Sequence, residues 1–129
     1  MNVISIILAA GKGKRMKSSI PKPMHDVAGR PLIDWLLASL NQIKIKEKVF
    51  VLGDQYNTIK NFLGKINFVI QKPQLGTGHA VKTAKKKIKN LESIVLISYA
   101  DTPFVNFKTF NKLIREVNKE TPIAILGFI

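Results

Sequence analysis

The chain predicts an α/β fold built on a mostly parallel sheet with helices on both faces. Three observations carry that expectation. Short apolar runs alternate with longer amphipathic stretches from one end of the chain to the other. The apolar runs are nearly continuous, as in Val3-Ile4-Ser5-Ile6-Ile7-Leu8, which is how a strand buried on both faces reads. The longer stretches repeat their apolar residues at helical spacing.

Taken in order, Asn2 to Leu8 reads as the first buried strand and Pro31 to Leu40 as the first helix. In that helix Leu32, Ile33, Leu36, Leu37 and Leu40 form one stripe, Pro31 presets the first turn, and Trp35 beside the stripe reads as a packing residue. Lys48 to Leu52 is a strand, Gln55 to Leu63 a helix closed by Gly64, and Ile66 to Ile70 a strand. Gly78 to Lys89 is a helix and Ser93 to Ile97 an apolar strand. Phe107 to Val117 is a helix with Phe107, Phe110, Leu113, Ile114 and Val117 on one side, and Pro122 to Phe128 is a final apolar strand. No linker, repeat or low-complexity segment interrupts this series, apart from a lysine run.

With 129 residues, 46% apolar content and mean hydropathy near zero, the chain is expected to form one soluble domain burying roughly two thirds of its unfolded surface. It has no cysteine, which removes structural disulfides and thiolate metal sites from consideration. Met1-Asn2 supplies no basic region for a signal peptide, and no apolar run reaches the ~18 residues of a membrane span, so a cytoplasmic location is expected. The net charge of +13 invites a nucleic-acid partner, yet all but three of the 21 basic residues are lysines. Base reading and stacking lean on arginine and exposed aromatics, so nucleic acid is not the expected partner. The run Lys85-Lys86-Lys87, with Lys82 and Lys89 beside it, reads as a solvated helix face.

In a parallel sheet, ligands bind outside the carboxyl ends of the strands, so the residues following each strand carry the functional signal. The first strand runs into Ala9-Ala10-Gly11-Lys12-Gly13-Lys14-Arg15-Met16 and then Pro21-Lys22. Two glycines there let backbone N–H groups approach an anion, and Lys12, Lys14, Arg15 and Lys22 add positive charge, with no acidic residue before Asp26. A third glycine is missing for a dinucleotide fingerprint, since Met16 stands in its place, and Gly13 is not followed by Lys-Ser/Thr as a triphosphatase loop requires.

After the third strand comes Gln71-Lys72-Pro73-Gln74-Leu75-Gly76-Thr77-Gly78-His79-Ala80. Gln71 offers an amide donor and acceptor to the edge of a uracil or another base. The Gly76-Thr77-Gly78 turn opens a helix, where Thr77 either caps that helix or contacts a base or ribose. His79 and His25 have no partner at i+4 and do not read as metal ligands. After the fourth strand, Tyr99-Ala100-Asp101-Thr102-Pro103 places a carboxylate at the sheet edge facing the Gly11 loop. Asp101 fits a magnesium ligand opposite a triphosphate, and Asp-Thr-Pro equally fits a turn.

Leu8-Ala-Ala-Gly11-x-Gly13-x-Arg15-Met16, Pro21-Lys22, Gln71-x-x-Gln-Leu-Gly-Thr-Gly-His-Ala80 and Tyr99-x-Asp101-x-Pro103 occur in an order and separation that resemble the sugar-phosphate nucleotidyltransferases. The similarity is greatest to the uridyltransferase domain of the bifunctional enzymes that make UDP-N-acetylglucosamine, and it covers nearly the whole chain. It implies a three-layer, Rossmann-like fold of the glycosyltransferase-A type. By resemblance, Leu8, Ala9, Ala10, Gly11 and Gly13 contact the nucleotide, Gln71, Gly76 and Thr77 complete the base and ribose site, and Tyr99, Ala100 and Asp101 close it. Arg15 and Lys22 would be the catalytic cations on the phosphates, and Asp101 would hold Mg²⁺.

The implied reaction is attack by the oxygen of N-acetylglucosamine 1-phosphate on the α-phosphorus of UTP, releasing pyrophosphate and leaving UDP-N-acetylglucosamine for cell-envelope synthesis. Three departures accompany the resemblance. Ala100 stands where the family has glycine, Lys14 stands where it has threonine, and family domains run to roughly twice this length. Residues 1–129 thus correspond to the N-terminal, nucleotide-binding half, without the sugar-binding half or the acetyltransferase β-helix. A second copy or a partner chain is expected to cover the sheet. An inactive nucleotide-binding remnant and a basic RNA-binding protein are the alternative readings.

Overall fold

The computed structural model describes residues 1–90 and 92–127, with the side chain of Lys14 excepted. Four parallel strands form the central sheet: β1 (Val3–Ala9), β4 (Glu47–Leu52), β5 (Asn67–Ile70) and β6 (Ile94–Tyr99), in the spatial order β5-β4-β1-β6. A small antiparallel ribbon, β2 (Asp26–Val27) and β3 (Arg30–Pro31), lies outside it. Helices α1 (Leu32–Leu40), α2 (Tyr56–Leu63), α3 (Thr77–Lys85) and α4 (Phe107–Glu116) connect or follow the strands.

The two faces of the sheet have separate cores. On one, Ile33, Leu36 and Leu40 of α1, Ile59 of α2 and Phe110 of α4 meet Val3 and Ile7 of β1 and Phe50 and Leu52 of β4. On the other, Ala80 and Ala84 of α3 pack on Ile6, Val49 and Val51. These are the three layers that the alternation of segments predicts. Trp35 is half-buried and belongs to neither core; it ties the ribbon to α1, its Nε1–H donating to Val27 O at 2.8 Å beneath the Arg30 guanidinium. Gly64 closes α2 with φ 76°, its N–H donating to Lys60 O.

Three expectations change. The stretch 122–127 is not a strand: it pairs with no other strand among the described residues, and Ile123 and Ile125 are exposed. An extended segment is held as a strand only by a hydrogen-bonded neighbour; Phe128 of that expected strand falls outside the described residues. Second, α3 ends at Lys85 and not at Lys89. Its buried residues are Ala80 and Ala84, and only Ile88 packs beyond them, too little to hold three successive lysines in a helix. Lys82, Lys85, Lys86, Lys87 and Lys89 are exposed, as a solvated face requires.

Third, the sheet is not covered on both faces throughout. Helix α3 packs over β1, β4 and β5, so the outward side chains of β6 on its face, Val95, Ile97 and Tyr99, remain 41%, 42% and 45% exposed. Ile7, by contrast, is 0% exposed at the centre of the sheet. Ile7→Ala is therefore expected to cost about 2–5 kcal/mol, as core truncations do. Ile97→Ala should cost under about 1 kcal/mol because much of its surface is already in water. Urea unfolding of the two variants checks this, and equal costs would contradict the uncovered face.

Candidate functional site

The chain adds β4 and β5 on one side of β1 and then β6 on the other, so the strand order reverses between β1 and β6. A crevice opens at such a reversal. Two backbone hydrogen bonds extend the sheet into it. Ala100 N–H donates to Leu8 O at 3.0 Å, and Gln71 N–H donates to Leu52 O at 2.8 Å. The glycine loop, the Gln71 segment and the Asp101 segment are thereby joined to neighbouring strand ends.

They line a single cavity of about 330 Å³. Leu8, Ala9, Ala10 and Gly11 form one wall, and Gln71, Gly76 and Thr77 a second. Lys22, Tyr99 and Asp101 form the third. Of the other expected site residues, Ala100 is fully buried behind the cavity and Gly13 does not line it. Arg15 sits in a short 3₁₀ turn, exposed and with no hydrogen bond or ion pair among the described residues, and does not line the cavity either.

Gly13 has a different use from the one its place in the loop suggests. Its φ is 57°, and a Cβ there would come within 3.0 Å of Lys22 Cβ, so the glycine both makes the turn and lets Lys22 pass close behind the loop. Lys22 then reaches the cavity, where Nζ donates to Asp101 Oδ2 at 2.6 Å. Both side chains are part-exposed, so this charge-assisted bond can exchange partners at modest cost. Thr77 does not cap α3. Gly76 occupies that position with φ 99°, and Thr77 begins the helix beside the cavity with the unpaired N–H groups of a first turn.

Gln71 is 4% exposed, and its amide nitrogen is turned into the protein. Nε2 donates to Gly76 O at 3.0 Å and lies 3.0 Å from His79 Nδ1. The carbonyl oxygen Oε1 accepts nothing from the described residues, so the amide offers an acceptor and no donor to a ligand.

Magnesium fits this donor set. The ion keeps several waters and takes one or two carboxylates together with phosphate oxygens. Asp101 is the carboxylate lining the cavity, and no group of three or more His, Cys, Asp or Glu side chains suited to a metal occurs among the described residues. Lys22 occupies Oδ2 of Asp101, and Oδ1 carries no hydrogen bond or ion pair among the described residues.

Sequence reasoning misses the scaffold behind the loop. Gln74 Nε2–H donates to Ala10 O at 2.6 Å across 64 residues, and Gly53, just after β4, lies beneath both. A Cβ on Gly53 would stand 2.6 Å from Ala10 O and 2.6 Å from Gln74 Nε2. Gln55 Nε2–H donates to Ser19 O at 2.9 Å, and Lys12 Nζ meets Asp54 Oδ2 at 3.1 Å, tethering the loop at two further points. The hydrogen bond and charge of Lys12, helped by Lys72, hold the Asp54 carboxyl below its usual range. What that pair adds to stability is present above the ordinary carboxylate range and lost as pH falls through the lowered value. Gly53→Ala is expected to push Ala10 aside and destabilise the chain by about 1–3 kcal/mol in chemical unfolding; an unchanged midpoint would contradict the close approach.

Comparisons with known proteins identify the family and the fold. The chain is 38% identical over 125 residues to "Bifunctional protein GlmU" of Sphingopyxis alaskensis, covering 96% of this chain and 28% of that protein. It therefore spans little more than a quarter of the relative's length. Among solved structures, Rv0371c from Mycobacterium tuberculosis in complex with manganese shares the fold at a TM-score of 0.72 and 15% identity, over 89% of this chain and 59% of that one. HddC from Yersinia pseudotuberculosis complexed with GMP-PN superposes at a TM-score of 0.64 and 29% identity, over 87% of this chain and 53% of that one. A family model described as the MobA-like NTP transferase domain matches residues 5–128. The chain belongs to the MobA-like NTP transferase family, with the Rossmann-like α/β fold of nucleotidyltransferases.

Proposed function

We propose that residues 1–129 are the nucleotide-binding half of a nucleotidyltransferase domain that takes UTP and transfers UMP to N-acetylglucosamine 1-phosphate. The observation that carries the reading is the one cavity shared by the glycine loop, Gln71 and the Lys22–Asp101 pair. Family membership and the 38% identity to a bifunctional protein GlmU support it.

The residues divide the work. Gln71 Oε1 accepts from a ring N–H, which uracil carries at N3 and cytosine and adenine lack at the equivalent edge. Backbone groups of Leu8 to Gly11 and the first turn of α3 line the space for base, ribose and α-phosphate. Lys22 leaves Asp101 for the phosphates, and Arg15, exposed in its 3₁₀ turn, adds to the positive charge around the loop.

An oxygen of the sugar phosphate then forms a bond to the α-phosphorus, the bond from that phosphorus to the bridging oxygen breaks, and pyrophosphate leaves with the negative charge. Little covalent chemistry is asked of the protein; positioning and charge neutralisation carry the rate. Mg²⁺ on Asp101, when bound, would supply part of that neutralisation. The manganese in the Rv0371c complex is in keeping with a divalent ion in this fold.

Calorimetric titration with UTP and ATP, with and without Mg²⁺, tests the reading. UTP is expected to bind in preference to ATP, more tightly with Mg²⁺, and the Mg²⁺ dependence should disappear in Asp101→Ala. Lys22→Met should weaken UTP by about tenfold or more, as loss of a charged hydrogen bond does. In a pyrophosphate-release assay with N-acetylglucosamine 1-phosphate, the same substitution should lower any rate by about 10²-fold. Failure to bind either nucleotide, or binding of RNA with a steep salt dependence in its place, would overturn the proposal.

A further inference from the structure

The segment Gly76 to Ala80 contains a histidine that the nucleotide reading leaves without a task. His79 lies in the first turn of α3, half-buried, with Nδ1 3.0 Å from Gln71 Nε2. Gly76 O lies 3.0 Å from the same Gln71 atom. A backbone carbonyl only accepts, so the amide atom facing it must be the nitrogen, and His79 Nδ1 must then accept as well. That fixes the imidazole as the tautomer carrying its hydrogen on Nε2. The opposite tautomer would donate from Nδ1 and draw the amide oxygen inward, against Gly76 O.

We propose that His79 is a positioning residue that sets base selectivity: by accepting from Gln71 Nε2 it holds the amide so that Oε1, an acceptor, is what the cavity presents to the base. The inference rests on the uridine reading of the site and adds to it the device that keeps Gln71 from turning over. With the amide reversed, Gln71 would offer a donor and favour a base with a ring-nitrogen acceptor, such as cytosine. His79 itself touches no substrate; its effect passes through Gln71.

Two measurements test this on the chain as it stands. Nitrogen-15 NMR of the wild-type imidazole, without ligand, should show the hydrogen on Nε2 with Nδ1 bare; a hydrogen on Nδ1 overturns the inference. Competitive titration with UTP and CTP should then show the wild type preferring UTP. His79→Phe, which keeps the ring's bulk and removes the acceptor, should lower that preference about fivefold, while His79→Asn, with an oxygen near the position of Nδ1, should restore most of it. A structural role alone would weaken both nucleotides in parallel and leave their ratio unchanged. A preference that survives in His79→Phe overturns the role of His79. A wild type that binds UTP and CTP alike overturns the uridine reading itself, and the tautomer measurement, which needs no ligand, keeps the two failures distinct.

Discussion

Strand β1 is hydrogen-bonded on both edges, to β4 and to β6, and its Ile4, Ile6 and Ile7 side chains are shut away from water between two helical layers. A strand held on both edges and both faces cannot slip its register without exposing its whole apolar set. The position at which it stops is therefore as well defined as any in the molecule. Leu8 to Gly11 inherit that precision because they continue β1 directly, and Gln71 and Asp101 inherit it through Leu52 and Leu8 at the ends of neighbouring strands. The loop is fixed at its root by the core and along its length by Gln74, Asp54 and Gln55.

Within that frame the cavity balances charge internally. Lys22 and Asp101 neutralise each other across a 2.6 Å contact, in a chain whose net charge of +13 would otherwise leave a strong field at the site. In the proposed reading the phosphates would take the lysine and a divalent ion the carboxylate, so that neither charge is left without a partner.

Much of this is legible in the sequence because it is local. Continuous apolar runs gave β1, β4 and β6 to within two residues, and of the helical stripes Ile33, Leu36, Leu37 and Leu40 of α1 and Phe110, Leu113 and Ile114 of α4 pack in the core, while Leu32, Phe107 and Val117 do not. Gln71 stands out because it directly follows an apolar run, and Asp101 because it lies just beyond one. What the sequence hides depends on distance. Lys22 meets Asp101 across 79 residues and Gln74 meets Ala10 across 64, and no pattern of spacing announces either contact. The Gln71–His79 contact spans only eight residues, but its meaning depends on which way an amide faces, which only Gly76 O decides. The stretch 122–127 misleads for the opposite reason. Its residues suit a strand, yet a strand is a property of a pair, and this segment has no partner among the described residues.

A crystal structure of the chain grown with UTP and Mn²⁺ is the most direct test of the account. The account predicts an anomalous manganese peak on Asp101, phosphate oxygens against the Gly11 loop, Lys22 moved from Asp101 onto phosphate, and the uracil N3 edge facing Gln71 Oε1. Manganese away from Asp101, or nucleotide bound outside the cavity with the Lys22–Asp101 pair intact, would contradict it.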